Sequence, residues 1–262
     1  RFRNSTITQK IYLYNELDRI DFDTAVDWHL RHIIVKAAFP VDVNTNKATY
    51  EIQFGNIERN HTENTSWDVA KFETCAHKWA DISDNGYGMA LMNDCKYGHS
   101  VVDDSTIQLS LLRSGNSSSD SIEEVNDQGE HIMSYSIIPH SGNYIDADIV
   151  RKAYAFNNPM LVKEINNSDG ELAQSFSLIK TENKNIIIDT VKKAEDSENI
   201  IIRIYESQNI KDKIKLSFGI DIKKLYLCDL LENIEKEIEV KDNTAVLDVN
   251  NFEIITLMAE VK

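Results

Sequence analysis

Paired cysteines, long apolar runs and positive charge are all in short supply in this 262-residue chain. Its three cysteines, Cys75, Cys95 and Cys228, are odd in number and show no CxxC spacing. That argues against a disulfide framework and for a reduced, cytoplasmic setting. No apolar stretch approaches the roughly 20 residues that a membrane-crossing helix needs. The opening RFRNSTITQK lacks the apolar centre of a secretion signal, so sequons such as Asn64-Thr65-Ser66 read as chance matches. Lys and Arg number 28 against 43 Asp and Glu, a net charge of −15. Nucleic acid and anionic membranes would be repelled, so neither is expected as a partner, whereas a neutral ligand is compatible. What is present is an apolar fraction of 42%, enough for a folded chain of one large or two ordinary domains.

Strand candidates follow one another up to about residue 150: STITQKIYLY, DRIDFDTAVDWH, HIIVKAAFPV, ATYEIQFGNI, GYGMALMN, TIQLSLLR and EHIMSYSIIPH. Each is rich in β-branched or aromatic residues and bounded by Asn, Asp, Gly or Ser. In the first of them Ile7, Ile11 and Leu13 share one face, which predicts a half-buried strand at the start of the chain, as a fragment would begin. The polar segment 114–130 predicts an exposed loop, and Ile149, Ala153 and Phe156 predict a short helix ahead of Pro159. A second series runs from SFSLIKTE to FEIITLMAEV, with the strand lengths and spacing of an immunoglobulin-like sandwich but no Cys…Trp…Cys pattern. The expected fold is all-β: a large antiparallel sandwich over residues 1–165, followed by a smaller immunoglobulin-like sandwich over 166–262.

Several constellations invite a chemical reading. His29 and His32 would share a face on a helix and could hold zinc, but the surrounding alternation makes them strand histidines on opposite faces. His77 and His99 flank Asp81, Asp84 and Asp94 without any H-E-x-x-H arrangement to bring them together. A Cys95 nucleophile assisted by His99 lacks an orienting partner. The segment NDCKYG offers two alternatives. It is either a turn in which Asn93 and Asp94 bond the backbone, or a loop that presents Asn93, Asp94, Lys96 and Tyr97 to sugar hydroxyls. Arg113, where TIQLSLL gives way to the polar loop, is either solvated or a fork of fixed donors reaching into a polar site.

The stretch 67–98, WDVAKFETCAHKWADISDNGYGMALMNDCKYG, together with DRIDFDTAVDWH, VKAAFPVDV and IQLSLLRS, resembles the C-terminal β region of family thirty-eight glycoside hydrolases, the retaining α-mannosidases. KKAEDSENIIIRIYES and FEIITL resemble that family's closing sandwich, and the look is that of bacterial and cytosolic-type members. The resemblance implies a mutarotase-like supersandwich followed by the smaller sandwich. It also implies an N-terminal catalytic domain of the same polypeptide, which carries the zinc and the two carboxylates that cleave the glycosidic bond. No zinc-binding or nucleophile motif of that kind is found here, so neither a catalytic nor a metal-binding residue is expected on this chain. Arg113, Asn93, Asp94, Lys96 and Tyr97 are carried over as substrate-binding candidates at the pocket edge. The implied partners are that catalytic domain and a mannose-containing oligosaccharide. Two other readings stay open: a carbohydrate-binding module with Trp67, Trp79 and Tyr97 as its platform, and a structural scaffold that forms a homodimer.

Overall fold

The computed structural model describes residues 2–84, 86–103, 105–115, 127–166, 170 and 173–262. The chain divides into two compact units, Arg1–Pro159 and Met160–Lys262. No helix among the described residues is long and apolar enough to cross a membrane.

In chain order the first unit comprises β1 (Thr6–Leu13), β2 (Ile20–Trp28), β3 (Ile33–Pro40), β4 (Lys47–Ile52), β5 (Gly55–Asn60), the single turn α1 (Ser66–Val69) and β6 (Thr74–Cys75). There follow β7 (Trp79–Ser83), β8 (Tyr87–Asn93), β9 (Gly98–Val102), β10 (Thr106–Ser114), β11 (Gly129–Ser141) and α2 (Ile149–Asn157). The strands form two antiparallel sheets, a seven-stranded one in the order β1-β2-β11-β8-β7-β4-β5 and a four-stranded one in the order β3-β10-β9-β6. Alternation dictates the packing. In β2, Phe22, Val26 and Trp28 point inward and meet Ala37, Ile107 and Leu109 from the smaller sheet, with acidic residues on the other face. The Trp28 indole N–H is satisfied by Ser114 Oγ at 2.8 Å, so the ring is buried without a stranded donor.

Four expectations need correction. β1 is a strand, but not half-buried: Ile7, Ile11 and Leu13 are 42%, 62% and 79% exposed. Ile7 and Ile11 pair with buried Val26 and Phe22, so they lie on the inner face; seven strands oppose four, and this edge strand overhangs its cover. ATYEIQFGNI is not one strand but the β4–β5 hairpin, which turns at Gln53 and Phe54 with Phe54 at φ 55°. His29 and His32 lie beyond β2 in the connection to β3, with His32 at φ 62° and the His29 Nε2 2.8 Å from Asp27 Oδ1. Of the expected loop 114–130, Ser114 ends β10 in a buried position and Gly129 starts β11, while 116–126 fall outside the described residues. The helix α2 forms as its spacing predicts, burying Ile149 and Ala153 over β8 and β7.

The second unit holds β12 (Ile179–Thr181), β13 (Ile186–Lys193), β14 (Ile200–Glu206), β15 (Asp212–Phe218), β16 (Ile222–Cys228), β17 (Ile234–Ile238), β18 (Val240–Lys241), β19 (Thr244–Val249) and β20 (Ile254–Val261). Sheets β12-β15-β19-β18 and β13-β14-β20-β16-β17 enclose Ile202, Ile204, Ile214, Leu216, Leu225 and Leu257. Glu206, fully buried at the end of β14, forms no salt bridge among the described residues. Its carboxylate instead accepts the backbone N–H of Gln208 (2.7 Å), Ile210 (3.2 Å) and Phe252 (3.0 Å) and the amide of Asn185 (3.4 Å), tying two loops to the sheet.

Candidate functional site

The outer face of the four-stranded sheet is polar. Lys36 on β3 and Gln108 and Ser110 on β10 alternate with the buried Ala37, Ile107 and Leu109, so they point away from the core. Ser100 Oγ, on β9, donates to Gln108 Oε1 (3.0 Å) and accepts from Lys36 Nζ (3.3 Å). A pocket of about 1120 Å³ lies over this floor, with the chain between Asn60 and Glu73 as its wall. Within that wall Thr65 caps α1, its Oγ1 accepting from Asp68 N (3.2 Å) and donating to Asp68 Oδ2 (2.7 Å). Those bonds and the Lys71 ammonium hold the Asp68 carboxyl below its usual range. The same turn leaves Trp67 and Phe72 each 81% exposed.

A β-bulge decides where Arg113 points. Strict alternation from outward Ser110 would send Arg113 into the core. The register of β10 against β3 instead shifts between Ser110 and Leu112, both Leu111 and Leu112 are buried, and Arg113 emerges on the outer face to line the pocket. Its backbone N–H donates to Asp127 Oδ2 (2.8 Å), and its guanidinium donates no hydrogen bond to any of the described residues.

Glu73 lies beside it. Oε1 accepts from Lys36 Nζ (2.7 Å) and from Ser110 Oγ, and a Cβ on Gly98 would come within 3.1 Å of Oε2, so the carboxylate occupies space left by the missing side chain. Desolvation acts to raise its pKa, but Lys36, Ser110 and the Arg113 charge together outweigh it and hold the carboxyl below its ordinary value. His99, fully buried at the start of β9, also lines the pocket. Burial pushes its pKa down to about 4 against the opposing effects of the Tyr97 carbonyl and Glu73, so the ring is neutral. Its Nδ1 lies 3.3 Å from Tyr97 O, and its Nε2 has no partner. Tyr50, edge-on to His99 at 6.4 Å, has its pKa raised by burial to about 12. Arg59 covers the Tyr50 ring at 5.3 Å and donates to Cys75 O at 2.9 Å.

The five expected binding residues therefore separate. Arg113 lines the pocket; Asn93, Asp94, Lys96 and Tyr97 do not. Asn93 is buried, and its amide is spent on the fold: Nδ2 donates to His77 O (2.8 Å) and Oδ1 accepts from Lys96 N (2.7 Å). Asp94 exchanges bonds with Ser134 on β11, N to O at 3.1 Å and Oδ2 from N at 2.9 Å. Lys96 is half-buried, and Tyr97 is exposed with its ring edge-on to His77 at 5.6 Å. The turn leads into β9 rather than directly into β10, and its four residues do not share this pocket with Arg113.

The other constellations disperse. Asp81 pairs with His140 Nε2 at 2.6 Å in the core and accepts from Ser83 Oγ (2.9 Å), and Asp84 Oδ2 accepts from Asn44 N (3.1 Å). Among the described residues no group of three or more His, Cys, Asp or Glu could hold a metal ion. The Cys95 thiol, although exposed, is pushed up to about 11 by partial desolvation and by its hydrogen bond with Asp94, which disfavours the thiolate that a nucleophile needs. Trp79 is buried, stacked on Tyr144 at 5.0 Å, and cannot serve as an exposed platform. Sequence reasoning missed Lys36, Arg59, Phe72 and Glu73. The one available signal was Lys36, a lone charge within the apolar IIVKAAF.

Residues 1–119 match the glycosyl hydrolases family 38 C-terminal domain, and 185–257 match the glycosyl hydrolases family 38 C-terminal beta sandwich domain. The human alpha-mannosidase 2C1 is 35% identical over 260 residues, covering 97% of this chain and 24% of that protein. Alpha-mannosidase G of Dictyostelium discoideum is 37% identical over 257 residues, covering 97% of this chain and 23% of its own length. The Saccharomyces cerevisiae alpha-mannosidase is 33% identical over 254 residues, covering 91% and 22%. The chain thus spans about a quarter of the length of these relatives. Two solved Enterococcus faecalis structures share the fold: a glycosyl hydrolase family 38 protein (TM-score 0.80, 18% identity) and an alpha-mannosidase (TM-score 0.82, 19% identity). Each covers 97% of this chain, which in turn covers 30% and 29% of theirs.

Proposed function

Because this chain belongs to glycosyl hydrolase family 38, whose two C-terminal domains it matches, we propose that it is the non-catalytic C-terminal portion of a retaining α-mannosidase. Its first unit packs on, and completes the sugar pocket of, a zinc-bearing catalytic domain in the same polypeptide. The observation that carries this reading is Arg113, turned by a bulge onto a polar pocket with its guanidinium bonded to none of the described residues. Two of the pocket's three carboxyls support a non-catalytic role: a retaining glycosidase needs one protonated carboxyl as acid, yet Glu73 and Asp68 are both held below their ordinary values by their neighbours. Free cysteines, two of them exposed, support a cytoplasmic setting.

Turnover of a chromogenic α-mannoside by this chain with added zinc tests the assignment. None is expected, and measurable hydrolysis would overturn it. The exposed Trp67 and Phe72 beside the pocket favour a second reading, a carbohydrate-binding module, in which Trp67→Ala alone abolishes mannose binding. A homodimeric scaffold predicts twice the chain mass in solution.

A further inference from the structure

Among the polar groups of this pocket that no described residue engages are one acceptor, Glu73 Oε2, and one donor, the Arg113 guanidinium. Most of the pocket's charges are paired internally: Lys36 with Glu73 Oε1, Lys71 with Asp68, and Arg59 with the Cys75 carbonyl. Glu73 Oε1 takes a second bond from Ser110, whereas Oε2 takes none from the described residues and stands over Gly98. The Arg113 guanidinium is close enough to Glu73 to influence its ionisation, yet no salt bridge joins them among the described residues. Polar groups that line one pocket without bonding each other are open to a ligand that satisfies both.

The chemistry of that ligand is constrained. A phosphate or carboxylate would be repelled by Glu73, and a cation by Arg113 and Lys36. A neutral diol fits, because each hydroxyl can donate to the carboxylate while its oxygen accepts from the guanidinium. Resting on the reading of this pocket as sugar-facing, we infer that Glu73 is a specificity-determining residue. Its Oε2, working with Arg113, recognises a pair of adjacent sugar hydroxyls. Lys36 and Ser110 fix the carboxylate from behind, and Gly98 leaves it room, since a Cβ there would stand 3.1 Å from Oε2.

The test is an NMR titration of this chain with methyl α-mannoside and with its 2,3-di-O-methyl ether, for the wild type, Glu73→Gln and Arg113→Ala. The wild type is expected to prefer the free diol. Glu73→Gln, which keeps the shape but loses the charge, should weaken mannoside binding about 10-fold and bring the two affinities together. A wild type that binds no mannoside up to its solubility limit would overturn the sugar-facing reading and, with it, this inference. Mannoside binding by Glu73→Gln with unchanged affinity and unchanged preference would overturn the role of Glu73 alone. Should Glu73→Gln fail to fold, Glu73→Asp, which keeps the charge but withdraws it from the pocket by one methylene, is held to the same outcomes.

Discussion

His99 makes the stability of the first unit depend on pH in a way that one substitution can isolate. The ring is fully buried, and its pKa falls from an ordinary 6.5 to about 4 because burial disfavours the charged form. On acidification the unfolded chain takes up this proton near the ordinary value, while the folded protein refuses it until about 4. The stabilisation is therefore complete above 6.5 and is lost as pH falls from there to about 4. The shift corresponds to about 3 kcal/mol over that interval. His99→Gln removes the titrating group while keeping a neutral polar side chain of similar reach. All three tryptophans, Trp28, Trp67 and Trp79, lie in the first unit, so their fluorescence during urea unfolding reports that unit alone. Measured at several values between neutrality and about 4, the wild type should lose about 3 kcal/mol more than His99→Gln. Carboxylate contributions are common to both proteins and cancel in the difference. Parallel stability curves would refute the burial argument.

Three further outcomes are expected. Glu206→Ala strips an acceptor from three backbone N–H groups and should destabilise the second unit by about 3 kcal/mol, read by urea unfolding followed by circular dichroism; a loss within about 0.5 kcal/mol would show that water replaces the carboxylate. Asp81→Ala leaves His140 without its carboxylate partner in the core and should lower first-unit stability by roughly 3 kcal/mol, seen as an earlier tryptophan fluorescence transition. Because the Asp94 hydrogen bond helps to keep the Cys95 thiol protonated, Asp94→Asn should speed its alkylation at neutral pH, followed by mass spectrometry; an unchanged rate would assign the shift to burial alone.

The sandwich architecture was legible because alternating strands declare their buried faces. β2, β10 and β11 in the first unit and most of the second unit could be read that way. β7 and β9 were not legible: four of five residues in β7 and three of five in β9 are buried, which erases the alternation. The β4–β5 hairpin was hidden because Phe54, a residue with no turn preference, takes the positive φ that usually advertises itself as Asn or Gly. At the site, Arg113 stood out at a strand end, but its direction depends on a bulge that leaves no mark on the sequence. The Lys36–Glu73 pair joins residues far apart in sequence, so neither pointed to the other. Asn93 had the right chemistry for a ligand, yet the carbonyl that consumes its amide belongs to His77, sixteen residues upstream.

The most direct measurement is the affinity of methyl α-mannoside for this chain before and after Arg113→Ala. Millimolar binding by the wild type, weakened at least about 10-fold in the variant with its thermal unfolding unchanged, is what the account predicts for a hydrogen-bonded charged contact. No binding, or binding indifferent to Arg113, would contradict the claim that this pocket faces sugar.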